Sequence, residues 1–206
     1  MIGKGNQELN GSKAQKLTFA VSLCEKMQPT TETERQEPNI LITGTPGTGK
    51  TILATQLANN IENLSHFNIN ELIKQEQYTE GYDKEFDSHI LDEDKLLDAM
   101  EDKMVEGGQI VDYHSNDFFP QRFFDLVIVL RCDNSILHPR LVNRGYNENK
   151  IQENIECEIM EVVLEEARES YPEEIVVELK SETMEDMESN LQRIETWYNM
   201  YKEQHS

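Results

Sequence analysis

The chain from residue 38 onward contains five short segments that are rich in apolar residues. They span residues 39–43, 66–69, 109–112, 126–130 and 175–179, and such short apolar runs are typical of strands buried on both faces. Between them, apolar positions recur every three or four residues, which predicts helices over 50–61, 71–75, 92–105, 135–144, 150–170 and 183–201. Strands that alternate with helices predict an α/β fold, in which helices cover both faces of a parallel sheet.

The first 37 residues do not share this pattern. They are polar and rich in Lys, Gln, Thr and Glu, so we expect a disordered leader over 1–37 and one folded domain over 38–206. No apolar run approaches the roughly 20 residues of a membrane-spanning helix, so the sequence predicts no membrane association. Cys24, Cys132 and Cys157 are odd in number and lack Cys-x-x-Cys spacing, which argues against a disulfide framework and a zinc site.

The charge of the chain is strongly negative. It contains 40 acidic and 19 basic residues, and its formal net charge is −21. Such a molecule should repel nucleic-acid backbones and attract basic partners, so direct nucleic-acid binding is not expected. An alternative interpretation is that the acidity only keeps the surface soluble.

One motif follows the first apolar segment directly. The residues from 44 to 51 read Gly44-Thr45-Pro46-Gly47-Thr48-Gly49-Lys50-Thr51 and fit G-x-x-x-x-G-K-[ST] at every defined position. Glycines at 44, 47 and 49 would let backbone amides and the helix N-terminus hold phosphate oxygens. Lys50 would neutralise the transferred phosphate, and the Thr51 hydroxyl would bind Mg²⁺, so the sequence predicts a P-loop that binds Mg-ATP.

Other candidate residues end or follow the later strands. Asp112 ends the 109–112 segment, where P-loop proteins place a carboxylate that holds Mg²⁺; alone, it could be a turn residue. His114 would then position water or accept a proton, although a lone loop histidine is usually a surface residue. Arginines after the 126–130 segment would suit a phosphoryl group, and solvent exposure is the alternative for each. These arginines are Arg131, Arg140 and Arg144.

Several of these motifs together resemble the adenylate kinase isoenzyme 6 family, a nuclear adenylate kinase family with a role in small ribosomal subunit maturation. The resemblance covers the chain from about Pro38 to its end. It is carried by Pro38 to Thr51 and by four further motifs, which are Ile90-Leu91-Asp92-Glu93-Asp94, Val111-Asp112-Tyr113-His114, Asp117-Phe118-Phe119-Pro120 and Arg144-Gly145-Tyr146-Asn147-Glu148.

The resemblance implies a P-loop NTPase fold with a five-stranded parallel sheet and short accessory segments. A nucleoside monophosphate (NMP) segment would run from about 68 to 91, and a lid from about 143 to 153 with Arg144 at its start. The ATP site would use Gly47, Gly49, Lys50, Thr51 and Ile52. Lys74 stands where an arginine can meet the monophosphate, and lysine cannot make the same bidentate contact.

The leading interpretation is an adenylate kinase that converts ATP and AMP to two ADP with Mg²⁺ as cofactor, together with a weak ATPase activity. Lys50, Asp112, His114 and Arg144 would be catalytic, with Arg140 added to the ATP site. The resemblance also implies a nuclear, and also cytoplasmic, protein that acts in ribosomal subunit maturation, and we expect a monomer. The alternative is a nucleotide-switched assembly factor that holds a basic ribosomal protein. A GTPase is a poorer choice because the chain lacks an Asn-Lys-x-Asp motif.

Overall fold

The computed structural model describes residues 35–76, 78–83 and 88–205. In these ranges strands and helices alternate as the apolar pattern predicts. The strands are β1 (Ile40–Thr43), β2 (Ser65–Asn68), β3 (Thr79–Asp83), β4 (Ser88–Leu91), β5 (Gln109–Asp112), β6 (Leu126–Arg131) and β7 (Val176–Lys180). The α helices are α1 (Lys50–Asn60), α2 (Ile69–Glu76), α3 (Glu93–Glu106), α4 (Asn134–Asn143), α5 (Glu148–Ile159), α6 (Val162–Ser170) and α7 (Met184–Gln204).

Five of the strands form one parallel sheet in the order β2-β5-β1-β6-β7. β1 is central, with Ile40 opposite Ile110 of β5 and Leu126 of β6. The predicted five-stranded parallel sheet is therefore confirmed. Because all the strands run the same way, their carboxyl ends meet at one edge, where the loops that carry the candidate site begin.

Helices cover both faces of this sheet. Ile40 and Ile42 of β1 pack on one face in a core with residues of α1 and α7, including the buried Trp197. Leu41 points to the other face, into a core with residues of α3 and α6. β1 is thus buried on both sides, which holds the loop that follows it on a rigid base. Within the described ranges, no helix is long and apolar enough to cross a membrane.

The predicted single helix over 150–170 is wrong, because the structure has two helices there. α5 ends at Ile159 and α6 begins at Val162, and Glu161 between them has a φ of 57°. This left-handed conformation interrupts the helical hydrogen bonds and redirects the chain. The apolar spacing continues across the break, so periodicity alone could not reveal it. The β3–β4 antiparallel hairpin was also not predicted.

The folded domain begins before residue 38, which corrects the predicted boundary. Arg35 is only 6% exposed, and its Nη2 lies 3.1 Å from Asp125 Oδ1 while its Nη1 donates to the Arg122 carbonyl oxygen over 2.8 Å. The Glu37 carboxylate accepts a hydrogen bond from the Tyr198 hydroxyl over 2.6 Å. Residues 35–37 therefore belong to the domain and not to a leader. The rest of the predicted leader, residues 1–34, lies outside the described residues.

Candidate active site

The loop between β1 and α1 lies at the carboxyl edge of the sheet, where β1 has β5 on one side and β6 on the other. Gly44 has a φ of 137°, and a Cβ atom there would lie 2.5 Å from the carbonyl oxygen of Leu130. Gly47 has a φ of 97°, and a Cβ atom there would lie 2.9 Å from Leu137 Cδ1. Only glycine permits both the positive φ and the close approach, which keeps the loop tight enough to surround a phosphate.

The loop leads directly into the N-terminus of α1. Gly49 is the N-cap residue and provides no side-chain hydrogen bond to the helix. The first amides of α1 therefore remain available for the oxygens of an anion, which the helix dipole also favours. Ile52, which the resemblance places in the ATP site, lies in the first turn of α1 with 56% of its surface exposed.

The side chain of Lys50 folds back into the loop. It is only 8% exposed, and its Nζ donates to the carbonyl oxygens of Gly44 over 2.7 Å and Thr45 over 3.2 Å. Burial lowers the pKa of Lys50 to about 8, although the charge of Asp112 acts in the opposite direction. A bound phosphate would offer this ammonium a better partner than two neutral carbonyls.

A hydroxyl–carboxylate pair lies beside the lysine. Thr51 Oγ1 donates to Asp112 Oδ2 over 2.6 Å, and Asp112 is 1% exposed. The other oxygen, Asp112 Oδ1, is buried and has no hydrogen-bond partner among the described residues. Such an oxygen is costly to bury unless a cation or water binds it. The pair provides the oxygen ligands that Mg²⁺ takes in P-loop proteins, so it fits the predicted magnesium site.

His66 also lies at this site, and sequence reasoning missed it. Its Nε2 is 3.6 Å from Asp112 Oδ2, and its Nδ1 is 3.3 Å from Thr55 Oγ1. The two residues meet because β2 pairs with β5 in parallel, with Asn68 opposite Asp112. The signal that could have found His66 is the order of the strands, which residue spacing does not reveal.

His114 lies near the loop, as predicted. It lines a cavity of about 360 Å³ together with Pro46 and Lys150. The surrounding protein, followed by the charges of Lys50 and Lys150, lowers the pKa of His114. The imidazole is therefore neutral at pH 7 and able to accept a hydrogen bond or a proton.

Arg140 and Arg144 occupy different environments at the end of α4. Arg140 donates to the carbonyl oxygens of Gly47 over 3.3 Å, Ser181 over 3.0 Å and Glu182 over 2.7 Å. It thereby joins the P-loop to the connection between β7 and α7. Arg144 is exposed, and its charge acts on Lys50 to lower the pKa of that lysine. Arg144 is thus the arginine of this pair whose side chain remains accessible to a ligand.

Arg131 is paired with three glutamates and is not available to a phosphate, contrary to the prediction. Its Nε donates to Glu158 Oε1 over 2.7 Å, and its Nη1 lies 3.1 Å from Glu161 and 3.5 Å from Glu178. The side chain is 17% exposed, so it is neither a free surface residue nor an available phosphate ligand. Glu158 is 3% exposed and was not predicted, because nothing in a Glu-rich helix separates one buried carboxylate from its exposed neighbours.

Both accessory segments follow the phosphate-binding loop in the sequence. The NMP segment over 68–91 contains α2 and the β3–β4 hairpin, although residues 77 and 84–87 lie outside the described residues. Lys74 is exposed on α2. The lid over 143–153 contains the end of α4, a turn at Gly145 with a φ of 75°, and the first turns of α5. Asn147 begins α5 by accepting a hydrogen bond from the Lys150 amide over 2.8 Å.

Solved structures of other proteins share this fold. A shikimate kinase from Bacteroides thetaiotaomicron matches with a TM-score of 0.52 and 17% identity, over 77% of this chain and 96% of that chain. The tunicamycin resistance protein of Deinococcus radiodurans matches with a TM-score of 0.52 and 19% identity, over 77% and 95% of the two chains. At these identities the likeness shows the fold alone.

Sequence relatives are much closer. A family model described as an AAA domain matches residues 40–161. An adenylate kinase isoenzyme 6 homolog of Dictyostelium discoideum is 53% identical over 173 residues, which cover 84% of this chain and 98% of that protein. A homolog of the same name from Saccharomyces cerevisiae (strain S288c) is 52% identical over 174 residues, or 84% of this chain and 88% of that protein. On this identity, and with the P-loop in its expected place, the chain belongs to the adenylate kinase isoenzyme 6 family.

Proposed function

We propose that this protein transfers the γ-phosphoryl group of Mg-ATP to AMP and so produces two ADP. The observation that carries the proposal is the grouping of Lys50, Thr51 and Asp112 at the P-loop, with one buried Asp112 oxygen left for a cation. The names of the relatives support AMP as the acceptor. The coarser activity, that of a nucleotide kinase, rests on the family and the P-loop together.

Residues of the P-loop and of its surroundings would each make a different contact with Mg-ATP. Thr51 and Asp112 would hold Mg²⁺, which would neutralise the charge of the phosphate groups. Lys50 would leave its two carbonyl partners and bind the transferred phosphoryl group. Arg144 would add a second positive charge from the lid, and closure of the lid would exclude water.

His114 would act on the acceptor side. A neutral imidazole at the edge of the cavity can orient the AMP phosphate or, when AMP is absent, a water molecule. The second case would produce the weak ATPase activity. On the monophosphate side, Lys74 provides a single point charge, whereas an arginine would make a bidentate contact with the phosphate. We therefore expect Lys74→Arg to bind AMP more tightly than the unmodified protein.

A coupled assay of ADP formation tests the proposed acceptor. ATP would be incubated with AMP, CMP, UMP, GMP or no acceptor, each at saturating Mg²⁺. Stimulation by AMP alone supports the proposal. Equal rates in all five reactions would replace it with an ATPase.

A matched pair of variants tests the magnesium site. Asp112→Asn keeps the size of the side chain but removes its charge. We therefore expect kcat to fall on the order of 100-fold and the Mg²⁺ concentration for half-maximal activity to rise. Asp102→Asn, on the exposed face of α3, makes the same chemical change away from the site and should leave both unchanged. Equal activity of the two variants would remove Asp112 from the proposed mechanism.

A second proposal concerns maturation of the small ribosomal subunit. The net charge of −21 suits a basic ribosomal protein as partner, which the nucleotide cycle would bind and release. Binding to a purified basic ribosomal protein should weaken markedly when the salt concentration rises, because the attraction is electrostatic. Binding that is absent, or independent of salt, would reject this partner class.

A further inference from the structure

A buried carboxylate joins the P-loop to α5, the helix that begins within the lid. Glu158 lies near the end of α5, is 3% exposed, and has no part in the proposed transfer. Its Oε2 accepts a hydrogen bond from the Thr45 hydroxyl. Its Oε1 accepts from Arg131 Nε over 2.7 Å and from the Cys132 amide over 3.1 Å. Both oxygens are therefore satisfied, as a buried carboxylate requires.

Thr45 also binds other residues of the P-loop. Thr45 is fully buried, and its carbonyl oxygen accepts hydrogen bonds from Lys50 Nζ over 3.2 Å, Thr48 Oγ1 over 2.9 Å and the Thr48 amide over 3.3 Å. One residue is thus held by Glu158 through its hydroxyl and by the loop through its carbonyl. These two contacts together fix the orientation of the peptide group between Thr45 and Pro46.

Arg131 anchors the other side of Glu158 to the sheet. Besides the bond to the carboxylate, its Nη2 donates to the Glu158 carbonyl oxygen over 2.9 Å. The end of α5 is therefore attached to the last residue of β6. The P-loop and α5, whose first turns belong to the lid, therefore share one buried polar network.

We propose that Glu158 is a positioning residue for the P-loop. Through the Thr45 hydroxyl it holds the loop in the shape that receives the triphosphate, and it connects this shape to α5, the helix that begins within the lid. The inference rests on the proposed function in that the loop must bind Mg-ATP.

Glu158→Gln in the full chain tests this role by the Kd for Mg-ATP, measured calorimetrically well below the melting temperature of each variant. Glutamine keeps the size but loses the charge-assisted hydrogen bonds, so we expect Kd to rise about 10-fold. Glu161→Gln is the matched control, because Glu161 also pairs with Arg131 but is 49% exposed at its side chain. The control should stay within about twofold of the unmodified protein, as exposed ion pairs contribute little.

The outcomes separate the two proposals. If the unmodified protein does not bind Mg-ATP, both the proposed function and this inference fail. If it binds and Glu158→Gln binds equally well, the inference alone is overturned. A Kd that rises to the same extent in Glu161→Gln also overturns it, since the effect would then follow Arg131 and not the contact with Thr45.

A second pair of variants leaves the buried carboxylate in place in case Glu158→Gln fails to fold. Thr45→Val removes only the hydroxyl and should raise Kd about 10-fold, whereas Thr45→Ser keeps the hydroxyl and should remain within about threefold. Equal affinities of the two variants would overturn the proposal. Where all variants fold, Thr45→Val combined with Glu158→Gln should be no weaker than either single change, because both remove one interaction. Additive losses would contradict the coupling.

Discussion

Replacing Lys50 with methionine should stabilise the ligand-free protein and remove its response to Mg-ATP. Lys50 is 8% exposed, and burial lowers its pKa from 10.5 to about 8. At 1.36 kcal/mol for each pH unit, keeping this ammonium charged in the folded protein at pH 7 costs about 3 kcal/mol. Methionine fills similar space without a charge.

The loss of two hydrogen bonds offsets part of this gain. The carbonyl oxygens of Gly44 and Thr45 lose the Lys50 ammonium, at about 1 kcal/mol each. A net increase of about 1 kcal/mol in the free energy of unfolding remains at pH 7. Urea denaturation of the ligand-free proteins measures it directly. Lys103→Met, on the exposed face of α3, is the matched control; it loses a cation–π contact with Phe67 and should therefore lower stability by under about 1 kcal/mol and not raise it.

The advantage of methionine at position 50 should shrink as the pH rises. Below pH 8 both the folded and the unfolded states carry the Lys50 proton, so the penalty is fully present. Between pH 8 and 10.5 the unfolded state holds more protons than the folded state, so the unmodified protein gains stability relative to the variant. The difference in unfolding free energy should therefore be smaller at pH 9 than at pH 7.

Mg-ATP reverses the order of the two proteins. At a ligand concentration 100 times Kd, the unmodified protein should gain about 2.7 kcal/mol, and the Lys50→Met protein should gain nothing. The reasoning is refuted if Lys50→Met lowers the stability at pH 7 by more than about 1 kcal/mol. A difference in unfolding free energy that widens as the pH rises would also refute it. So would full stabilisation of the variant by Mg-ATP.

Three further predictions concern stability. Arg35→Met should cost about 3–5 kcal/mol in urea denaturation, because it leaves a buried carboxylate unpaired, whereas Arg122→Met, in an exposed ion pair, should cost under about 1 kcal/mol; similar losses would contradict the buried role of Arg35. Gly44→Ala should cost at least about 2 kcal/mol and abolish nucleotide binding, since its Cβ would clash with the Leu130 carbonyl oxygen; normal binding by calorimetry would refute this. Thr183→Ala should cost about 1 kcal/mol in thermal unfolding, because the hydroxyl belongs to the capping box of α7; an unchanged melting temperature would show that the cap contributes nothing.

The P-loop, the parallel sheet and most of the helices could be predicted because each depends on neighbouring residues. The motif from Gly44 to Thr51 is contiguous, and it follows a strand and opens a helix in the structure as it does in the pattern. Asp112 could be placed because the end of a buried strand defines one edge of a parallel sheet. In each case the local sequence carries the physical requirement itself.

The prediction failed where a residue's role depends on a distant partner. Arg131 belongs to a predicted arginine group, but Glu158 and two other glutamates bind it instead. Arg35 was assigned to a leader, but Asp125 holds it in the domain. Glu161 lies within an unbroken apolar periodicity, yet its backbone ends one helix before the next begins.

The amino-acid sequence by itself determined the chemistry of the loop, the type of most elements and the strongly acidic charge of the molecule. Only the tertiary structure decided which charges are paired and which remain available to a ligand. His66 reaches Asp112 because β2 pairs with β5, and Glu158 reaches Thr45 because α5 packs against the end of β6. Strand order and helix packing bring together residues that are far apart in the chain, and no local pattern records those distances.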